Sequence, residues 1–553
     1  MPIHQLPWSA FHSDAWVAGV LLVFSVASLI KIRSQQPWSY FAIGIAIISL
    51  VPVLQLASGQ IKLLGTAWLS SLYLLGFLLA ILTGARWQCA RINELADALF
   101  LAVAVAAPLS VGLQLCQWLS VTEGCLCGAS WASPVGTDFR KAANLGQPNQ
   151  LSTLLLVAIV AFTWAWVRQT LSGSVVVFVT FFILIGLALT ESRTGVLAIS
   201  VMFLFAWYWR RLWPSRRAPY VATLLYIFFL SMFLAQSHVT QWLQLGDTSS
   251  LIVRVKNESR LEIWALFLSA AAERPWLGYG WNQSAIAQVL FANDGTASTG
   301  SNVVATSYAH NLFIDLLLWL GIPIGISVSL ALVGWLVQCI RHVRENLDAL
   351  LVLCVVAMGV HAMLELPLYY AYFLLPLGLV IGMLGVRLNI SAAFATSLRP
   401  VVCIWIVCSA LYLAVVRDYF LLEQSYEELR LNTARIIGEN TQTPPDVFVL
   451  TQLQDLITVS RLEPKTGMSA VEVNLVTKVA LVYPGEHYLL KLAAILTLNG
   501  QESKASYWLY KLCNLHGRES CDKGQLEWAR LINQFPQLKQ VEWPGNPVLQ
   551  TNP

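Results

Sequence analysis

Charge is scarce in this chain: Asp, Glu, Lys and Arg make up 12% of 553 residues, against about 25% in soluble domains. With 57% hydrophobic residues and a mean hydropathy of +0.63, that scarcity excludes a wholly soluble protein. The net charge of +4 is small and scattered, so the dense basic surface that nucleic acid needs is missing and no nucleic-acid partner is expected. The ten cysteines show no metal-ligand spacing, and no acidic cluster of the DxD kind is present. Neither a metal nor another cofactor is therefore expected. "MPIHQLPWSAFHSDAW" contains no Lys or Arg, so it lacks the basic leader of a signal peptide.

What the chain does have is apolar runs near the ~20 residues that span a bilayer. About twelve are expected, at 15–32, 40–57, 64–83, 98–118, 151–167, 175–189, 195–209, 220–235, 311–338, 350–364, 369–386 and 401–416. The fold class is all-α, a polytopic membrane protein with about 12 transmembrane helices. The 22 Trp and 17 Tyr suit aromatic belts at the two interfaces. "KIRSQQ", "ARWQCAR", "RRLWPSRRAP" and "IRHVREN" are basic and fall on one face, which the charge bias of short loops assigns to the cytoplasm. The opposite face then holds the N-terminus, the 122–150 loop, "ESRTG", the long 236–310 loop and the tail after residue 416.

The tail changes character. "AVEVNLVTKVALVYPGEHYLLKLAAILTLNGQESKASYWLYKLC" has mixed charge and helical periodicity, and reads as three amphipathic helices spaced like tetratricopeptide pairs. Expected domains are a bundle over 1–235, a periplasmic loop with an interfacial helix over 236–310, further transmembrane helices over 311–416 and a periplasmic helical domain over 417–553. Cys339, Cys354, Cys403 and Cys408 read as small core residues. Cys513 and Cys521 could pair in an oxidising compartment. Cys125 and Cys127, one residue apart, are not expected to pair with each other.

Five polar motifs lie on the face opposite the basic loops. "NLGQPNQL" offers Gln147 and Asn149, as an amide-lined contact or as an ordinary helix entry. "ESRTG" holds Arg193 in a short turn at the membrane surface, where it could meet a lipid phosphate, snorkel, or pair with Glu191. "SRLEIWALFLSAAAERPWLGYGWNQ" reads as an interfacial helix ending near 273–275 and carrying Arg260. An aromatic, glycine-rich turn with Trp276 and Tyr279 follows it. "SYAHNLFIDLLLWLGIPIG" places Tyr308, His310 and Asn311 at the start of an apolar run, with His310 either a base or a polar cap. Asp315 falls one turn beyond Asn311, off the His310 face, and is not assigned as an orienting carboxylate. "HAMLELPLYYAYF" puts His361 and Glu365 on one helical face, followed by Tyr370. Two arginines and a histidine suit an anionic headgroup, because guanidinium forks hold phosphate and histidine can take a hydroxyl proton.

These motifs, in this order, resemble those of the bacterial protein O-oligosaccharyltransferases of PglL type, in the superfamily of the O-antigen ligases and polymerases. The resemblance runs from about residue 7 onward. It implies a glycosyltransferase of the bacterial inner membrane with its active site and tail facing the periplasm. Such an enzyme moves a preassembled glycan en bloc from undecaprenyl diphosphate to Ser or Thr of a pilin-like protein, without metal and with inversion. It implies His310 as the catalytic residue and Arg193 and Arg260 as diphosphate ligands. Asn311, Tyr308, Gln147, Asn149, Trp276, Tyr279, Glu365 and Tyr370 are expected to support the site or touch the acceptor or glycan. The partners implied are the lipid-linked glycan, the pilin-like acceptor and membrane lipid.

Relatives of this type carry another apolar segment before the position of "PWSAFHSDAW", so a further upstream helix is expected. The nearest alternatives are an O-antigen ligase acting on lipid A core and an O-antigen polymerase. The tail and "NLGQPNQ" favour a protein acceptor. A transporter would show internal repeats and midplane polar groups; here the polar groups gather at one surface.

Overall fold

The computed structural model of the protein describes residues 6–31, 36–119, 140–243, 245, 260–291, 305–390, 392–434, 436 and 443–544. Among them the helices, in chain order, are α1 (Phe11–Lys31), α2 (Tyr40–Ile48), α3 (Val51–Ala57), α4 (Leu64–Ala90), α5 (Glu94–Trp118), α6 (Pro148–Val167) and α7 (Gly173–Leu189). There follow α8 (Arg193–Tyr208), α9 (Ala218–Trp242), α10 (Arg260–Glu273), α11 (Ser284–Phe291), α12 (Leu312–Leu320), α13 (Ile322–His342), α14 (Asn346–Ala362) and α15 (Ala371–Arg387). The tail adds α16 (Arg399–Thr433), α17 (Thr451–Arg461), α18 (Ala470–Val482), α19 (Glu486–Leu498) and α20 (Glu502–Gln534). Two short strands, β1 (Gln36–Ser39) and β2 (Ala392–Thr396), pair antiparallel. Cys125 and Cys127 lie outside the described residues.

The protein is an all-α polytopic membrane protein. Among the described residues, eight helical stretches are long and apolar enough to cross a bilayer, and the shorter apolar helices α7, α8, α14 and α15 occupy further expected spans. Two expectations are corrected. The run over 311–338 is not one helix: it breaks at Gly321, whose φ of 81° ends α12. The nine-residue α12 is too short to cross, and the spanning helix begins at Ile322. The run over 401–416 does not stop where charge returns, but continues as one 35-residue helix to Thr433.

Two compact units divide the chain. The first contains residues 1–47, 73–256 and 331–412. Its core is centred on α6, of which 61% of the spanning window is buried, against 17% for α9. The packed faces of α5, α7, α8, α14 and α15 bury Leu155, Ile183, Ala198, Leu351 and Met383 around it. Helices α4 and α15 approach through small residues: a Cβ on Gly382 would collide with the Ile81 carbonyl, and one on Gly84 with that of Leu379. Such contacts let helix backbones meet where the hydrophobic effect gives no drive to associate.

The second unit contains residues 48–72, 257–330 and 413–553. Its tail helices α17 to α20 pack consecutively, and their core of Val476, Leu489, Leu492, Leu509 and Trp528 also takes in Val289 of α11. Asp418, fully buried in α16, accepts hydrogen bonds from the backbone N–H groups of Phe448, Val449 and Leu450 at 2.8, 2.6 and 3.2 Å. It thereby satisfies amides at the start of α17 that have no helical partner. Cys513 and Cys521 form a disulfide across the break that Gly517 makes in α20. Lys491 donates to the carbonyls of Val459 and Ser460 at 2.9 and 2.7 Å, and burial pushes its ammonium down to about 8.

Gly382→Ala should destabilise the bundle by about 1–3 kcal/mol through overpacking, read as a lower midpoint of thermal unfolding in detergent. Lys491 carries a second expectation. From pH 8 to 10.5 the unfolded chain holds a proton at Lys491 that the folded chain has released. Its contribution to stability therefore rises with pH across that window. Lys491→Met should flatten this part of the pH profile of the full-length protein.

Candidate functional site

In the first unit the polar motifs converge on the N-terminus of α6. Gly146, at φ 74°, turns the chain, Pro148 opens the helix and Gln147 caps it by accepting the Gln150 N–H at 2.8 Å. Asn149, the second residue of α6, is buried and hydrogen-bonded at both ends of its amide. Its Oδ1 accepts from the Ser192 hydroxyl at 2.6 Å, and its Nδ2 donates to Glu365 at 3.0 Å. A single side chain thus joins "NLGQPNQ", "SRTG" and "HAMLELP". Gln147 and Asn149 serve as cap and tie, the supporting and helix-entry roles that the sequence left open beside a contact with acceptor or glycan.

Ser192 also caps α8, accepting the Gly195 N–H at 2.8 Å. Arg193 is therefore the first residue of α8 and half-buried, at a helix end whose free N–H groups and dipole favour an anion. Glu191 stands in the turn at φ 52°. Burial lowers the Lys141 ammonium, partly offset by the charge of Glu191. Lys141 was not singled out in the sequence.

Helix α14 ends at Ala362, but the Glu365 N–H still donates to the His361 carbonyl at 2.9 Å, so His361 and Glu365 both reach α6. His361 Nδ1 meets the Thr153 hydroxyl at 2.7 Å, while Glu365 accepts from Asn149. Next to them, Tyr370 is hydrogen-bonded to the Gln150 side chain, and the Tyr372 hydroxyl donates to Gln150 Oε1 at 2.8 Å. Asp14, buried in the first turn of α1, accepts from the Tyr73 hydroxyl at 2.8 Å and the Ala371 N–H at 2.7 Å. Asp14 and Tyr73 were overlooked. An acidic residue inside an apolar run is the signal that could have found Asp14.

In the second unit the site is built around Ala309 and His310. Both backbone groups of Ala309 are held by side chains. Its N–H donates to Asp315 Oδ1 at 3.1 Å, and its carbonyl accepts from the Trp264 indole at 3.0 Å. Asp315 Oδ1 also accepts from Ser284 at 2.7 Å, and Ser284 in turn accepts from the Trp319 indole at 3.0 Å. His310, half-buried, follows at φ 53°, with the Tyr308 ring edge-on at 4.8 Å. Asn311 caps α12 by accepting the N–H groups of Phe313 and Ile314 at 3.0 and 3.3 Å. It therefore holds the helix start just after His310.

The expectation about Asp315 is corrected here. Helical geometry begins only at Leu312, so helical faces do not apply to residues 309–310. The Asp315 carboxylate reaches back to Ala309 and interacts electrostatically with His310. Arg260 begins α10, half-buried, and stands one helical turn from Trp264. The aromatic turn after α10 is placed by main chain. Tyr279 N–H donates to the Leu318 carbonyl and Ile322 N–H to that of Pro275, both at 2.6 Å. A Cβ on Gly278 would collide with the Leu318 carbonyl, and one on Gly321 with that of Trp276. Tyr279 is buried, with its hydroxyl donating to Ala270 at 3.0 Å and Arg274 stacked on its ring. It braces the turn, a supporting role. Trp276 is 75% exposed and free to make one.

Asp315→Ala should cost about 1–3 kcal/mol by orphaning the Ala309 amide and the Ser284 hydroxyl, seen as a lower unfolding midpoint. Asp315→Asn keeps an acceptor oxygen and should retain most of that stability. An equal loss in both variants would mean that the charge, and not the acceptor, holds Ala309.

Two family descriptions match the chain: "O-Antigen ligase" over residues 178–329 and "Virulence factor membrane-bound polymerase, C-terminal" over residues 349–530. The chain is similar to a general O-oligosaccharyltransferase of Acinetobacter baylyi, 27% identical over 542 residues, covering 94% of this chain and 90% of that protein. It is also similar to a ComP-specific O-oligosaccharyltransferase of the same organism, 28% identical over 384 residues, covering 67% of this chain and 66% of that one. The O-antigen ligase match takes in Arg193, Arg260 and His310, and both named relatives are glycosyltransferases by name. The two family matches and the two relatives together support a bacterial protein O-oligosaccharyltransferase of PglL type, and the chain is a glycosyltransferase.

Proposed function

We propose that this enzyme transfers a preassembled oligosaccharide from undecaprenyl diphosphate to Ser or Thr of a pilin-like protein, at the periplasmic face of the bacterial inner membrane. The observation that carries the reading is the geometry at His310, whose preceding residue is held at both its N–H and its carbonyl. A base so positioned can take the proton of an acceptor hydroxyl as its oxygen attacks the anomeric carbon. The bond from that carbon to the diphosphate oxygen breaks, the configuration inverts, and lipid diphosphate leaves with its electron pair.

Arg260 in the second unit and Arg193 in the first are the proposed diphosphate ligands. Their guanidinium groups take the charge that develops on the leaving group, with no divalent ion required. Arg193 adds the free N–H groups of the α8 N-terminus. One relative is named for a specific protein acceptor, which favours a protein hydroxyl here as well. The match to an O-antigen ligase description makes a sugar hydroxyl of lipid A core the second reading.

The test is transfer in cells that make a lipid-linked oligosaccharide and co-express candidate pilins, at matched membrane abundance. His310→Ala should lower the glycan mass shift on the pilin at least ~100-fold. Arg193→Ala and Arg260→Ala should each lower it by ~100–1,000-fold. Glycan on lipid A core instead of pilin would establish the second reading. Unchanged transfer in all three variants would remove this site from the reaction.

A further inference from the structure

A half-enclosed cavity of about 330 Å³ lies within the first unit, among α6, α7, α8, α9 and α14. Its walls are apolar, with Val160, Val176, Met202 and Leu225 among them, and the lining continues onto Ser215 and Arg217 of the 209–217 loop. The proposed reaction uses none of these residues. The cavity is also far from Arg193 along α8. It is lined by Ile199 through Trp207, about 9–21 Å further on at 1.5 Å per residue.

The loop that borders the cavity carries Arg210, Arg211, Arg216 and Arg217, all exposed, and none makes an ion pair among the described residues. By contrast, Arg168 at the end of α6 is paired with Asp97, and Arg387 with Glu345 and Asp348. The loop is fastened to the bundle. Asn346, at the start of α14, donates to the Leu212 carbonyl, and the Trp213 indole donates to that of Ala206 at 2.9 Å. Four cations without an ion pair among the described residues are thus held on a loop that borders an apolar cavity.

We propose that this cavity binds an anionic phospholipid, with an acyl chain among α6 to α9 and its phosphate at the Arg210–Arg217 loop. An apolar cavity open to a bilayer is filled by hydrocarbon rather than water. Basic pockets between transmembrane helices select anionic headgroups, and each Lys or Arg near the headgroup changes affinity by about fivefold. The phosphate comes from a resident membrane lipid and not from the glycan donor, because the cavity is lined by the C-terminal half of α8 and Arg193 stands at its N-terminal end.

The test is to purify the protein in mild detergent, extract and quantify its retained lipids by mass spectrometry, and compare unfolding midpoints with added cardiolipin or phosphatidylcholine. The wild type should retain diacyl anionic phospholipid above its share of the membrane, and cardiolipin alone should raise its midpoint. R216Q/R217Q should lower that enrichment by about 25-fold for the two arginines, and R210Q/R211Q should act in the same direction. Ala222→Trp, which fills the cavity, should remove the retained lipid whatever its headgroup. If that variant misfolds, the arginine pairs still decide, because they alter only exposed side chains. Unchanged enrichment in both arginine variants, equal stabilisation by phosphatidylcholine, or retention of polyisoprenoid lipid alone would each overturn the proposal.

Discussion

The candidate chemistry of the second unit depends on one buried carboxylate. Asp315 lies in the first turn of α12 and holds two donors that are distant in sequence, the Ser284 hydroxyl and the Ala309 amide. A buried acceptor of this kind is worth little when satisfied and costs much when lost. Its value is therefore geometric. It sets where the non-helical segment before α12 ends, and so where His310 stands. Trp264 completes the arrangement from α10, which brings the helix of Arg260 to the same short segment.

The first unit solves a similar problem with a neutral group. Asn149 has one acceptor and one donor end, and it uses them on Ser192 and Glu365. An amide suits a buried junction between a hydroxyl and a carboxylate, because it meets both without adding charge. In each unit a buried polar side chain acts one step behind a candidate site residue, Asn149 through Ser192 behind Arg193 and Asp315 through Ala309 behind His310.

Most of the helical architecture was legible in the sequence, because twenty-residue apolar runs have few other fates. The exceptions have physical causes. Gly321 breaks the run over 311–338 because a neighbouring carbonyl occupies the space a side chain would need, and hydropathy is blind to that. The helix from Arg399 passes through its return to polar composition without a break, since charge does not interrupt helical hydrogen bonding. At the site, motifs announced Arg193, Arg260 and His310 as residue types, but not their supports. Asp315 was set aside by a helical-face argument that fails where the backbone is not helical. Asp14 and Tyr73 pair across distant helices. Tertiary contacts of this range leave no local periodicity to read.

The joint between Gly278 and Gly321 is made by main chain on both sides. Beside it, Trp276 and Leu277 are 75% and 63% exposed. The fastening therefore asks nothing of those two side chains. Where the scaffold is held by peptide groups, the neighbouring side chains are released from structural duty, and selection can change them freely. Such a joint is a place where relatives of this enzyme can diverge in what they recognise while the turn that presents the recognition surface stays the same.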